Sequence, residues 1–126
     1  WYDAQAECAK LGKRLCTDEE WIRACDGSPN GGPLRRFSYG DTFVLENCNI
    51  QNTVAVASGS FPNCRSGFGA YDMVGNVYEW VDPGPNGAIF TLGGAWGLGR
   101  GASCYKSGAN YQKPYYQMHI GFRCCK

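Results

Sequence analysis

A marked excess of charge of either sign is missing from this sequence: 12 basic side chains face 11 acidic ones, for a formal charge of +1. That balance supplies no basic field of the kind that nucleic acid or an anionic membrane surface requires, so neither partner is expected. No apolar run approaches the roughly 18 residues that span a bilayer, which removes membrane insertion from the expectations. A signal-peptide pattern, an internal repeat and a low-complexity tract are also lacking. The chain opens at Trp1 without an initiator methionine and enters a helical pattern at once, so a leader or a larger N-terminal part is expected upstream. Histidine is nearly absent, His119 being the single example. Any Ser/His/Asp or Cys/His arrangement has to be built on that one ring, which lies beside the last strand pattern and reads as a surface or core residue. The carboxylates Asp41, Asp72, Glu79 and Asp82 are scattered and single out no acid/base pair.

What the sequence has in quantity is sulfur, glycine and aromatic rings. The 126 residues suit a single domain, 1–126, with one hydrophobic core. Eight cysteines are present, and none stands in a C-x-x-C pair of the sort that binds zinc or cycles redox state. An even, high count of this kind predicts disulfides and an oxidising location, extracellular, at the cell surface or periplasmic. Eighteen glycines and 14% aromatic residues predict a loop-rich fold in which rings provide much of the burial.

Local patterns place the elements. Trp1, Ala4, Cys8 and Leu11 recur at helical spacing, with Gly12 positioned to end the run in a left-handed turn. Thr17 followed by Glu20 forms a capping box ahead of the inward stripe Trp21, Ala24 and Cys25, giving a second helix over 18–25. Turn formers crowd positions 26–33 and 82–87. Between 37 and 68 short apolar pieces alternate with Gly, Asn and Pro, and strands are expected at 88–92 and 119–125. Neighbouring strand side chains point to opposite faces, so Cys124 and Cys125 should have different partners. Gly75 and Asn76 permit a sharp bend, after which Tyr78 and Trp80 alternate with Glu79, so rings can be buried on one side and oxygen presented on the other.

Several stretches in order resemble the formylglycine-generating (sulfatase-modifying) enzyme family. They are Ala4 to Cys8 with Gly12-Lys13-Arg14-Leu15 and Thr17 to Trp21, Tyr39-Gly40-Asp41, Gly59-Ser60-Phe61-Pro62, the run from Gly69 to Trp80, Gly93-Gly94-Ala95-Trp96, and Gly121-Phe122-Arg123. The resemblance covers nearly the whole chain and implies an α+β, loop-rich, disulfide-stabilised variant of the C-type-lectin-like fold. Two short helices near the N-terminus and short antiparallel strands are expected, without the N-terminal strands that family members carry. It further implies one structural calcium on the side chains of Asp72 and Glu79 and the carbonyls of Gly75 and Val77, a set of hard oxygen donors that suits this ion. A second family calcium beginning at Asn49 and Ile50 is not expected, because the loop completing it is missing. Two bridges are implied, Cys8–Cys124 and Cys25–Cys104. Cys16, Cys48, Cys64 and Cys125 then allow three pairings; Cys48–Cys64 is favoured by the turn-rich segment between them and Cys16–Cys125 by the strand that also holds Cys124.

Family enzymes oxidise a substrate cysteine with copper(I) held by two thiolates just after the Gly-Gly motif. Here that stretch, residues 97–103, holds no cysteine, so no copper is expected. A related branch makes carbon–sulfur bonds at a three-histidine iron site, and one histidine cannot supply it. The expectation is therefore not an enzyme but an extracellular binding or structural module, the head of a cell-surface adhesin or filament subunit. It would recognise protein or glycan through Trp96, Arg100, Tyr105, Asn110, Tyr111, Tyr115 and Tyr116, a mixture of rigid rings and adaptable polar groups common on contact surfaces. Self-association or a larger parent protein is compatible with this. The alternative is a copper-dependent formylglycine-generating oxidase acting on a sulfatase cysteine.

Overall fold

The computed structural model describes residues 1–27, 30–84, 87–108 and 117–126. Helix α1 spans Tyr2–Lys10 and buries Ala4 and Cys8. It closes through amides of Gly12 and Lys13 that donate to the carbonyls of Ala9 and Cys8, with Gly12 left-handed at φ 65°. Leu11, expected on the inward stripe, is 69% exposed, because the backbone has already left the helical course at that residue. After the two-residue strand β1, Arg14–Leu15, helix α2 runs over Asp18–Asp26, one residue beyond the expected end. Its capping box is complete: the Glu20 amide donates to Thr17 Oγ1 at 3.2 Å and the Thr17 amide donates to Glu20 Oε2 at 3.0 Å.

Glu20 also receives both terminal nitrogens of Arg14 at 2.7 Å. The Arg14 hydrogen bonds, then the Thr17 amide, hold its carboxyl far below the ordinary 4.5, at about 2. A depressed folded value adds stability that is present above the unfolded value and is lost as pH falls through the folded one. The difference in melting temperature between the wild type and Glu20→Gln is therefore expected to shrink between pH 4.5 and about 2. A difference that stays constant over that window would show that the contacts are too solvent-screened to matter.

Three strands form the central sheet, in the order β3–β2–β4. β2 is Tyr78–Trp80, β3 is Thr91–Leu92 and β4 is Ile120–Phe122. β2 runs antiparallel to β3 and parallel to β4, with Glu79 opposite Leu92 on one side and Gly121 on the other. The expected strand over 88–92 shrinks to its last two residues, since the breaker cluster before it brings the chain into register late. The expected strand over 119–125 divides at Arg123. Its first half pairs with β2, and β5, Cys124–Cys125, is drawn to β1 as an antiparallel pair.

Four disulfides join Cys8 to Cys124, Cys16 to Cys125, Cys25 to Cys104 and Cys48 to Cys64. All eight cysteines are used. The main core collects Trp21, Cys25, Phe37, Ile50, Met73 and Val81 around these bridges, and a smaller cluster packs Ala4, Cys8, Leu15 and Ile89 on Trp80. Truncating a tryptophan as enclosed as Trp21 typically costs about 3–5 kcal/mol. Backbone must approach it closely. Gly93, at φ 96°, leaves no room for a Cβ, which would sit 2.8 Å from the Met73 carbonyl and 3.2 Å from the Trp21 ring. No helix among the described residues is long and apolar enough to cross a membrane.

Candidate functional site

Two places gather the chemistry. The first is the bend that leads into β2. Gly75 at φ 75° and Asn76 at φ 60° make the turn, and a Cβ on Gly75 would meet the Asn49 carbonyl at 2.6 Å. Asn76 locks it: its Oδ1 accepts from Asn49 Nδ2 and from the Val56 amide, both at 2.9 Å, while its Nδ2 donates to the Val56 carbonyl. Asp72 precedes the bend with φ 57°. Its Oδ2 accepts from Ser58 Oγ at 2.9 Å and from the Gly59 amide at 2.7 Å, so Ser58 and Gly59 clamp this carboxylate, while the Ser60 hydroxyl donates to the Ala57 carbonyl instead. Asp72 Oδ1 is buried and has no hydrogen-bond partner among the described residues.

Glu79 lies inward on β2. Its Oε2 accepts from Trp21 Nε1 at 2.6 Å and from Arg123 Nε, and its Oε1 accepts from Arg123 Nη2 at 2.6 Å. Arg123 Nη2 also donates to the Tyr71 carbonyl at 3.0 Å. Burial acts to lower the Arg123 pKa, and the Glu79 charge and hydrogen bonds, with a further contribution from Asp72, outweigh it and hold the guanidinium above its ordinary value. The pairing of Glu79 with Arg123 and Trp21 has no signal in the local sequence pattern. Asp72, Val77, Glu79 and Arg123 all border one open cleft of about 460 Å³. A hard cation is compatible with these donors. Asp72 offers a free oxygen, and Glu79 receives three N–H groups on a carboxylate with about four acceptor positions. No three His, Cys, Asp or Glu side chains converge among the described residues, so backbone carbonyls would have to complete such a shell.

The second place is a surface joining residues 36–46 to the stretch after the Gly93-Gly94 motif. Phe37 and Gly40 exchange backbone hydrogen bonds, closing a tight turn. The Arg36 amide donates to Asp41 Oδ1 at 2.9 Å, and the Arg36 carbonyl accepts from the Cys104 amide at 3.0 Å. Arg100 lies on the short 3-10 turn Gly99–Gly101 with its guanidinium 4.4 Å from the centre of the Phe43 ring. Tyr105 donates its hydroxyl to Asp26 Oδ2 at 2.5 Å. That bond, with some desolvation and the charges of Asp26 and Asp41, pushes the phenol up to about 12.

Of the contact residues expected from sequence, Arg100 borders a cleft with Arg36, Asp41 and Phe43, whereas Tyr105 is spent on Asp26 and borders neither of the clefts at Arg100. Trp96 is half-buried, its amide donating to the Asn76 carbonyl at 3.0 Å and its indole nitrogen buried without a partner among the described residues. Asn110, Tyr111, Tyr115 and Tyr116 lie outside the described residues. Sequence reading missed Arg36, Phe37 and Phe43. The signal available was the arginine pair Arg35-Arg36 followed at once by the rings of Phe37 and Tyr39.

Hercynine oxygenase of Mycolicibacterium thermoresistibile is 36% identical over 84 residues, a match covering 64% of this chain and 19% of that protein. Inactive C-alpha-formylglycine-generating enzyme 2 of Bos taurus is 35% identical over 99 residues, covering 64% of this chain and 30% of that protein. Formylglycine-generating enzyme of Mus musculus is 32% identical over 98 residues, covering 64% and 25%. The chain thus spans about a fifth to a third of the length of these relatives. Among solved structures, PvdO from Pseudomonas aeruginosa superposes with a TM-score of 0.72 at 22% identity, covering 97% of this chain and 57% of that one. CarF does so at 0.69 and 24%, covering 89% and 46%. Such identities establish the fold, an α+β formylglycine-generating-enzyme-like variant of the C-type-lectin-like architecture.

The expectation that the chain is not an enzyme is corrected by these relatives, which include an oxygenase and a formylglycine-generating enzyme beside an inactive one. A thiol pair missing from one stretch does not establish a pseudoenzyme, because catalysis depends on groups gathered from a whole protein. The four disulfides are consistent with an extracellular or periplasmic location. The model of the sulfatase-modifying factor enzyme 1-like domain matches residues 1–126, and the chain belongs to that family.

Proposed function

We propose that this domain is a recognition module, working outside the cell, at its surface or in the periplasm. It takes a protein or glycan ligand on the surface that carries Arg36, Phe43 and Arg100, with Tyr105, Tyr111 and Tyr115 retained as contact residues on sequence grounds alone. The observation that carries the reading is Arg100 stacked on Phe43 where two clefts adjoin, with no ion pair or side-chain hydrogen bond to a described residue, so that a charged, pre-positioned group faces solvent. A setting in a cell-surface adhesin or filament subunit suits such a head. The test is a protein and glycan array probed with the intact domain and with Tyr111→Ala/Tyr115→Ala and Arg100→Gln variants. Ligands retained by the intact domain and lost by the variants are expected, and equal, negligible capture by all three ends the proposal.

A second reading, a copper-dependent oxidase that converts a sulfatase cysteine to formylglycine, is favoured by the likeness to the mouse formylglycine-generating enzyme. Cys104 is bridged to Cys25, so activity would require that bridge to open first. Incubation with copper, oxygen and a sulfatase peptide should then yield aldehyde only after mild reduction, and no conversion under either condition eliminates this reading.

The same proposal includes one structural calcium held by Asp72, Glu79 and the carbonyls of Gly75 and Val77. It is supported by the unpartnered Asp72 Oδ1. Bound calcium would neutralise a buried carboxylate and stabilise the folded state by mass action, about 2.7 kcal/mol at a hundredfold excess over Kd. Melting in a chelator should fall by several degrees and recover with calcium but not magnesium, and Asp72→Asn should abolish the response. An unchanged melting temperature in chelator removes the ion from the proposal.

A further inference from the structure

We infer that the surface cleft between Arg36 and Arg100 binds the carboxylate of a single acidic residue in a polypeptide ligand, with an apolar neighbour of that residue seated beside Val44 and Leu45. This rests on the recognition reading above and narrows its ligand class. The cleft, about 270 Å³, is bordered by Arg36, Phe37, Asp41, Phe43 and Arg100. A second cleft, about 430 Å³, shares Phe43 and Arg100 and adds Val44, Leu45 and Glu46. Arg36 lies 5.6 Å from the centre of the Phe37 ring, Phe37 and Phe43 meet edge to face at 5.8 Å, and Arg100 covers Phe43 at 4.4 Å. The four side chains form one ladder with a guanidinium at each end. Both arginines are exposed, and neither forms an ion pair with a described residue.

A guanidinium lying on a ring keeps its in-plane N–H groups for an acceptor, and two of them facing one cleft match the two oxygens of a carboxylate. The arrangement is held in place before any ligand arrives, since the Arg36 backbone is tied at its amide to Asp41 and at its carbonyl to Cys104. Polyanions are disfavoured: the Asp41 carboxylate borders the first cleft and Glu46 the second, so an isolated negative charge is accepted where a run of them is repelled. A sugar acid is disfavoured for a different reason. Saccharides dock on open aromatic faces, whereas Phe37 is buried and stacked on Tyr39, and Phe43 is covered by Arg100. The exposed Val44 and half-buried Leu45 instead offer an apolar seat to the residue next to the acid.

The probe is a library of end-blocked pentapeptides with Glu fixed at the centre and apolar residues varied on each side, measured by fluorescence anisotropy against the intact domain. Matched libraries carry Gln at the centre, and a uronic-acid oligosaccharide provides the sugar arm. Binding by Glu peptides, weakened about tenfold to a hundredfold by the Gln replacement and likewise by Arg100→Gln or Arg36→Gln, is expected. Arg100→Lys should recover only part of the loss, because it restores charge but not the paired donors. Equal affinity for Glu and Gln peptides, tighter binding of the uronic acid, or no peptide binding overturns the inference. A ligand from the wider arrays whose capture is unchanged in Arg36→Gln/Arg100→Gln removes the inference and leaves the broader recognition reading standing; failure of every array and peptide removes both.

Discussion

Arg123→Met is expected to destabilise the domain by about 3–5 kcal/mol, measured by urea denaturation, because it strands the Glu79 carboxylate in the interior with one remaining donor. Glu79 is 6% exposed. In the wild type it is held by Arg123 through two nitrogens and by Trp21 Nε1. Removing the guanidinium also frees the Tyr71 carbonyl that it binds. Direct attraction is not the main reason for the size of the effect, since two charges lose hydration on entering the fold and the pair recovers little more than that loss. The cost lies in the asymmetry of leaving one partner alone. Glu79→Gln/Arg123→Met should therefore be more stable than Arg123→Met by itself, an outcome that simple loss of packing at position 123 would not produce. The calcium proposal sharpens the test. A cation at Asp72 and Glu79 would compensate the stranded charge, so the destabilisation should be larger in chelator than in calcium. A loss below about 1 kcal/mol in chelator would place the pair among solvent-screened surface bridges.

How far the sequence displays this arrangement depends on the range of each interaction. The capping box at Thr17 and Glu20 is readable because its partners are three residues apart, and the left-handed Gly12 because the helix pattern stops there. The alternation of Tyr78, Glu79 and Trp80 shows that the carboxylate and the rings take opposite faces of β2, but not that both faces are buried, Trp80 against Ala4 and Cys8 and Glu79 in the interior on the other side. It does not show what meets the carboxylate, since Arg123 is 44 residues away and Trp21 is 58. Strand lengths are poorly readable for the same reason. β3 and β4 are as long as their pairing with β2 permits, and that is set by where distant segments come into register. The proposed recognition surface is split in the same way. Arg100 stands out by composition, but Arg36, Phe37 and Phe43 become its neighbours only when the Cys104 amide docks on the Arg36 carbonyl. The family resemblance supplies the scaffold and says nothing of this ladder.

The bridges at the two chain ends should show a cost that depends on each other. Cys8–Cys124 and Cys16–Cys125 span 116 and 109 residues, and each alone would close a loop worth about 5 kcal/mol of denatured-state entropy. They are not alone. With Cys16–Cys125 intact, the bridge at Cys8 closes only the ring from Cys8 to Cys16 and back through β5, about ten residues, for which the same relation gives about 2.7 kcal/mol. The argument is symmetric for Cys16–Cys125. Replacing Cys8 and Cys124 by alanine, or Cys16 and Cys125, should each cost about 2.7 kcal/mol, whereas replacing all four should cost about 6.4, about 1 kcal/mol more than the sum, because the second bridge to go is then relieved only by Cys25–Cys104 through a ring of about thirty residues. That loss rivals the lower end of the net stability of a domain this size, so the fourfold variant should be largely unfolded at physiological temperature while either twofold variant still folds. Denaturation midpoints of the three variants decide the matter. A loss near 5 kcal/mol from either pair alone would show that the adjacent bridges constrain the unfolded chain independently, and that β1 and β5 do not act as one clasp.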